Sequence, residues 1–173
     1  MQKSIIVLLI AIVSTFSMSC GSQKSAAKKH KDLVKTYETL KKELAEADVT
    51  MIGEEVKIVL PEAILFEVNS SEISKDYTNV FSKMASIFNK YPQTNILVNG
   101  HTDNSGSDKL NETLSMQRAE AAKSVLVDNK VKADRIYTWG LGKRNPIADN
   151  KTIEGRKQNR RVEVIVLYDY KAQ

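Results

Sequence analysis

The chain has 173 residues, enough for one ordinary domain with appendages and too few for several domains. Its formal net charge of +5 suits contact with anionic polymers or lipid headgroups, although it is also typical of an ordinary solvated surface. The sequence has no basic repeat and no ladder of aromatic residues, so nucleic acid is not expected as a partner.

The amino-terminal segment has the pattern of an export signal. Lys3 supplies the positive charge, and Ile5 to Val13 forms an apolar run that is too short to cross a bilayer. Cys20, the only cysteine, follows this run and cannot form an internal disulfide. We therefore predict a signal peptide over residues 1–19, and Cys20 is either a modified residue or a free buried thiol.

Two short segments separate the signal from the main domain. Residues 20–31 are small, polar and basic, which predicts a flexible tether. Residues 32–48 carry apolar residues at alternating spacings of four and three, which predicts an amphipathic helix. This helix packs on the domain, acts as a spacer, or forms a weak self-association seam. The apolar residues are Leu33, Tyr37, Leu40, Leu44 and Ala47.

Residues 49–173 alternate between strand and helix patterns. This alternation predicts an α/β (α+β) sandwich, in which helices pack on a small mixed four-stranded sheet. The last strand is apolar on both faces apart from Glu163, so we expect it inside the sheet. The predicted elements are a strand within Val49–Leu60, a helix over Ser74–Asn89, a strand over Asn95–Asn99, a helix from Ser107 to Val127, a strand near Arg135–Trp139, a short helix over Thr152–Asn159 and a strand over Val162–Tyr168.

The predicted helix after Ser107 carries an arginine on its apolar side. Arg118 falls within the arc that we expect to face the core, where a guanidinium needs a partner. Asp103, in the polar turn GHTDNSG before the helix, is the nearest candidate. The two either form a structural salt bridge or are held apart and bind a ligand that carries both charges. The arc consists of Leu110, Leu114, Ala121 and Val125.

Three motifs of this region occur together in one known family. GHTD, LS-x-x-RA and GR-x-x-NRRVE, in this order and spacing, resemble the OmpA-like peptidoglycan-binding domain shared by OmpA carboxyl-terminal domains, Pal lipoproteins and flagellar stator proteins. The resemblance covers residues 56–167. It implies a βαβαβ-type fold that binds a ligand, uses no cofactor and is not an enzyme.

The resemblance also implies the site residues. In that family the residues matching Asp103 and Arg118 hold the zwitterionic end of diaminopimelate in a peptidoglycan stem peptide. Secondary candidates come from the loop before the first main helix, from the long helix and from the NRR segment. For the loop residues an ordinary turn, and for the NRR residues a charged surface helix, remain alternatives. The secondary candidates are Asn69, Ser70, Asn111, Leu114, Asn159 and Arg160.

Ser19-Cys20-Gly21 is similar to a bacterial lipobox, in which Cys20 becomes the lipidated first residue. Ser17 stands where that pattern usually has Leu. Gly21, in place of the Asp that retains lipoproteins at the inner membrane, implies the outer membrane. Several acyl chains such as palmitate would anchor the protein firmly, with the domain facing the periplasm.

Three functions of different classes follow from these features. The first is a lipoprotein that tethers the outer membrane to the cell wall, and the second is a Pal-like component of an envelope complex with periplasmic protein partners. The third, a cell-wall enzyme, is disfavoured because neither His30 nor His101 lies in a nucleophile triad pattern. A metal site at His101 and Asp103 is not expected, since no second histidine lies nearby.

Overall fold

The computed structural model describes residues 19–45, 47–66 and 72–170. Within these ranges it has five helices and five strands, with 3₁₀ turns at Lys75–Tyr77 and Ala133–Arg135. Of the predicted signal peptide, residues 1–18 lie outside the described ranges. The elements are α1 (Ser19–Glu43), β1 (Asp48–Ile52), β2 (Glu55–Pro61), α2 (Glu62–Leu65), α3 (Thr78–Lys90), β3 (Asn95–His101), α4 (Asp108–Asp128), β4 (Ile136–Gly140), α5 (Ile153–Asn159) and β5 (Arg161–Leu167).

The strands form one mixed sheet in the order β1-β2-β5-β3-β4. β5 pairs antiparallel with both β2 and β3, whereas β3 and β4 are parallel. The predicted α/β sandwich and the interior position of the last strand are therefore confirmed. The predicted number of strands was wrong, because the segment read as one strand folds into the β1–β2 hairpin. Gly53, with φ of 58°, supplies the left-handed residue of its turn.

The amino-terminal part differs from the prediction. In place of a tether over 20–31 and a helix over 32–48, one helix runs over Ser19–Glu43. Ala, Lys and Gln in the supposed tether are good helix formers, and neither Gly nor Pro follows Gly21 within it. Leu33, Leu40 and Leu44 are buried in the same core as the sheet. Within the described ranges, no helix is both long and apolar enough to span a bilayer.

The long helix α4 begins as predicted but turns a different face to the sheet. Ser107 caps it, since its Oγ accepts a hydrogen bond from the amide of Leu110 at 3.3 Å. Leu110 itself is 60% exposed, so its place in the predicted apolar arc was wrong, whereas Ala121 and Val125 are partly buried against the core. The cause lies on β3, where a Cβ on Gly100 would come within 2.0 Å of the carbonyl oxygen of Ser115. The backbone of α4 therefore lies directly against Gly100 at Ser115, and this contact fixes which face of the helix is buried. The buried residues of α4 are Asn111, Ser115, Arg118, Ala119, Ala122 and Leu126.

Candidate functional site

The carboxylate of Asp103 is fixed in the turn that follows β3. The backbone leaves the sheet at Thr102, whose amide donates to the carbonyl of Gly142 at 2.9 Å. Asp103 is 8% exposed, and its Oδ1 accepts from the amide of Ser105 at 2.8 Å. Asn111 on α4 holds the same turn, because its Nδ2 donates to the carbonyl of Ser105 at 2.8 Å. The turn therefore presents the second carboxylate oxygen of Asp103 in one orientation.

That second oxygen meets Arg160, the residue that follows α5. Arg160 Nη1 donates to Asp103 Oδ2 at 2.7 Å, and about a third of the Arg160 side chain remains exposed. Burial opposes ionisation of Asp103, but the amide of Ser105 and the guanidinium of Arg160 outweigh it. The pKa of Asp103 accordingly lies below its usual value. At neutral pH the site therefore holds a carboxylate.

Arg118 projects from α4 into the same cluster and is 4% exposed. Its Nη2 donates to Glu62 Oε1, and its guanidinium lies 5.2 Å from the ring centre of Phe66. Burial lowers the pKa of Arg118, and the charges of Glu62 and Asp103 oppose that effect. Among the described residues, Nε and Nη1 of Arg118 have no hydrogen-bond partner. The guanidinium is thus charged, buried and only partly satisfied.

Four ionised side chains form one chain of contacts at this site. Asp103 pairs with Arg160, Arg160 Nε lies 2.8 Å from Glu62 Oε2, and Glu62 pairs with Arg118. We call these four residues the ionic cluster. A direct Asp103–Arg118 salt bridge, one of the two predicted arrangements, is not formed. The structure brings Asp103, Arg118 and Arg160 together as predicted, and it adds Glu62.

Glu62 was missed by the sequence analysis. It lies 56 residues from Arg118 along the chain, so no local spacing connects the two. The only signal is an acidic residue directly after Pro61, at the end of a strand. Its position depends on β2 pairing with β5, because the amide of Glu62 donates to the carbonyl of Arg160 at 3.0 Å. This register is a property of the folded sheet rather than of either segment.

The remaining predicted site residues have varied surroundings. Asn159 is fully buried and uses its amide on the loop at 147–150, accepting from the amides of Ile147 and Ala148. Its other contacts are with the carbonyl of Ala148 and the side chain of Asn150. Asn159 therefore orders this loop with a side chain whose oxygen and nitrogen are already bonded, and its role as a binding residue stays a prediction. Leu114 is half-buried, and Asn69 and Ser70 lie outside the described residues.

A cavity of about 640 Å³ lies away from the ionic cluster, between α1 and the end of the β1–β2 hairpin. Its lining includes Leu33, Ile52 and Tyr168, together with Lys29 and Asp169, which pair at 2.8 Å. Glu54 of the lining pairs with His30 at 2.8 Å. No group of three His, Cys, Asp or Glu residues converges as metal ligands in the described part of the chain. The ionic cluster, where buried charges meet unsatisfied donors, is therefore the candidate site.

His101 is a second buried ionisable group, on β3 next to the turn. Its Nδ1 lies 3.3 Å from the carbonyl of Arg144, and its Nε2 lies 3.9 Å from Glu163 Oε2. Burial lowers the pKa of His101 to about 4, and the nearby charges of Arg161 and Lys57 act in the same direction against Glu163. His101 is neutral at physiological pH and belongs to the support of the turn.

This shift predicts a pH dependence of stability. The unfolded chain protonates His101 near pH 6.5, whereas the folded protein keeps it neutral down to about pH 4. Between these values the unfolded state binds more protons, so the free energy of unfolding falls as the pH is lowered, by at most about 3 kcal/mol. Urea unfolding at pH 7, 5.5 and 4.5 measures this slope. His101→Gln should flatten it, and parallel curves for the two proteins would contradict the prediction.

Residues 65–160 match the OmpA family, which is more than half of the chain. The chain belongs to the OmpA family. The resemblance predicted from the three motifs is thereby confirmed. Of the ionic cluster, Asp103, Arg118 and Arg160 lie within the matched residues, and Glu62 precedes them.

Relatives of this OmpA-family chain include envelope proteins. It is 40% identical over 116 residues to the probable lipoprotein YiaD of Escherichia coli, covering 67% of this chain and 53% of YiaD. It is 44% identical over 97 residues to the peptidoglycan-binding protein ArfA of Mycobacterium bovis, covering 56% of this chain and 29% of ArfA. The chain thus spans about half of the first relative and less than a third of the second.

Solved structures of OmpA-like proteins share the fold. The cell wall anchor of the T6SS from Pseudomonas aeruginosa superposes with a TM-score of 0.68 at 25% identity. The superposition covers 79% of this chain and 97% of that one. The superposed part of the chain is longer than the part that matches the family, so the similarity in fold includes residues outside 65–160.

Proposed function

We propose that this protein binds the uncrosslinked stem peptides of peptidoglycan through the free end of diaminopimelate. The observation that carries the proposal is Arg118, a buried guanidinium with unsatisfied donors in one cluster with the ionised Asp103. A ligand with an ammonium and a carboxylate on one carbon supplies a donor for Asp103 and an acceptor for the unused nitrogens of Arg118. ArfA, named as a peptidoglycan-binding protein, and the T6SS cell wall anchor are similar proteins that support the choice of ligand.

In this mechanism each charge of the ligand has one principal partner. Asp103 accepts hydrogen bonds from the ammonium, and Arg118 donates to the carboxylate through the nitrogens that Glu62 leaves free. Charge-assisted hydrogen bonds of this kind contribute about 1.5–3 kcal/mol each. The turn around Ser105 and the helix α4 hold the two residues before the ligand arrives, so little ordering is needed. The function is binding and not catalysis.

We further propose that Cys20 carries the lipid anchor of an outer-membrane lipoprotein, so that the domain tethers this membrane to the wall from the periplasmic side. Cys20 lies at the start of α1, and α1 packs directly on the domain. Many anchored copies that face one polymer bind it with avidity, so modest affinity at each site is sufficient. Asn69 and Ser70 remain proposed contacts from the loop before α3.

Asp103→Asn should remove binding to peptidoglycan. The substitution keeps the size of the side chain but deletes the charge that attracts the ammonium, and we expect a loss of at least about 10-fold, from one charge-assisted hydrogen bond. The full chain, purified in mild detergent, is sedimented with sacculi that contain diaminopimelate, and the bound fraction is measured against sacculus concentration.

Asp108→Asn is the matched control, because Asp108 is an exposed acid in the first turn of α4 that pairs with Lys143 outside the ionic cluster. It should sediment like wild type. Equal sedimentation of wild type and a folded Asp103→Asn protein would overturn the proposed site, and failure of wild type to sediment would overturn the function.

A further inference from the structure

Glu62 holds a defined position between the two arginines of the ionic cluster. Its backbone amide is bonded to the carbonyl of Arg160, and its side chain is less than a fifth exposed. One carboxylate oxygen accepts from Arg118, and the other lies 2.8 Å from Arg160 Nε. Glu62 is therefore built into the site by the β2–β5 register rather than resting on its surface.

Positive and negative side chains alternate along the ionic cluster. Their order is Arg118, Glu62, Arg160, Asp103. The outer pair, Arg118 and Asp103, are the residues proposed to hold the ligand. The inner pair places a carboxylate on Arg118 and a cation on Asp103. These are the two charges that a zwitterionic ligand would present to the same residues.

The inner pair does not saturate the outer pair. A guanidinium has five N–H donors, and Glu62 engages Arg118 only through Nη2. The nitrogens Nε and Nη1 stay without a partner among the described residues although Arg118 is 96% buried, since only 4% of it is exposed. Arg118 can thus accept a ligand carboxylate while Glu62 already compensates its charge.

We propose that Glu62 determines the ligand class of this site by making it electrically neutral, so that it accepts a zwitterion and rejects a lone carboxylate. The inference rests on the proposed function and assigns selectivity to a residue outside the family match. With two acids and two arginines the cluster has no net charge. A simple carboxylate adds an uncompensated negative charge in a largely buried site, which is costly. A zwitterion adds none.

The neutrality of the ionic cluster also predicts the effect of removing the charge of Glu62. Glu62→Gln leaves the cluster with one net positive charge, and a lone carboxylate then restores neutrality. The substitution keeps the shape of the side chain and an oxygen that accepts from Arg118. A merely structural Glu62 would alter stability on substitution, but it would not alter the ratio of affinities for the two classes of ligand.

The test compares two probes that differ only in their amines. Free meso-diaminopimelate carries zwitterionic ends, and pimelate is the same seven-carbon dicarboxylate without amines. Binding of each to the full chain is measured by titration calorimetry, for wild type, Glu62→Gln and Asp103→Asn. Glu154→Gln is the control, because Glu154 is an exposed glutamate that pairs with Lys157 outside the cluster.

Wild type and Glu154→Gln should prefer diaminopimelate over pimelate by at least 30-fold. Glu62→Gln should reduce this preference at least 10-fold, mainly through tighter binding of pimelate. If Glu62→Gln does not fold, Glu62→Asp serves instead, because it keeps the charge and should keep the preference.

Three results would overturn the inference, and they are distinguishable. An unchanged preference in folded Glu62→Gln, with binding lost in Asp103→Asn, overturns the role of Glu62 alone. Loss of the preference in folded Glu62→Asp does the same, since the charge is retained there. Absence of diaminopimelate binding to wild type overturns the proposed function together with the inference.

Discussion

Arg118→Met should strongly weaken binding to sacculi in a protein that still folds. Removing one partner of a buried ion pair leaves the other charge uncompensated and is usually destabilising. Two features of the site reduce that cost. Glu62 keeps its contact with Arg160 after the change, and two buried nitrogens of Arg118 that have no partner among the described residues are removed.

For binding, the expected loss is at least about 30-fold, since the carboxylate of the ligand loses a charge-assisted hydrogen-bond partner. For folding, we expect the free energy of unfolding to fall by less than the about 3–5 kcal/mol that a broken buried ion pair costs. Sedimentation with sacculi measures the first quantity and urea unfolding the second. Binding is measured on the folded protein without urea, so a modest loss of stability cannot imitate the loss of binding.

Arg144→Met is the matched control. Arg144 is a mostly exposed arginine that pairs with Glu112, away from the ionic cluster. Its substitution should leave binding within threefold of wild type. An Arg118→Met protein that sediments with sacculi as wild type does would refute the assigned role of Arg118, and one that loses more than about 5 kcal/mol of stability would refute the energetic argument.

Gly100→Ala is expected to have the largest effect on folding. A Cβ at this position would lie 2.0 Å from the carbonyl oxygen and 2.7 Å from the carbonyl carbon of Ser115. Both are backbone atoms in the middle of α4, so no rotation of a side chain can relieve the overlap. The helix must move away from β3, which should cost about 3 kcal/mol or more. For a domain of total stability about 5–15 kcal/mol this is a large fraction.

Gly53→Ala separates this effect from glycine loss in general. Gly53 has φ of 58° but nothing within 4 Å of the added Cβ, so only backbone strain of about 1–2 kcal/mol is expected. Thermal unfolding of both variants measures the difference. Equal melting temperatures for the two would show that α4 does not need its close contact with β3.

Predictions from the sequence were correct where residues close together in the chain determine the local structure. The cap at Ser107 and the interior position of β5 follow from a side-chain oxygen before a helix and from apolar residues on both faces of a strand. The buried position of Arg118 also followed from helical periodicity. Each of these depends on neighbours within a few residues.

The errors involve distances that only the folded chain defines. The buried face of α4 depends on how closely the helix approaches Gly100. The spacing of apolar residues carries no information on that distance, so it wrongly placed Leu110 on the buried face. The ionic cluster joins β2, the turn after β3, α4 and the end of α5, with partners 56 and 57 residues apart. The family resemblance placed Asp103 and Arg118 in one site, but it assigned no role to Glu62.

The docked helix α1 has a mechanical consequence for a chain held at its amino end. Its 25 residues span about 37 Å as a helix, and the same residues fully extended span about 85 Å. Its outer contacts are an exposed Lys29–Asp169 pair and the Asp32–Tyr168 hydrogen bond, which precede the buried leucines. Tension on the amino end would therefore open α1 from that end and release slack before the sheet carries the load.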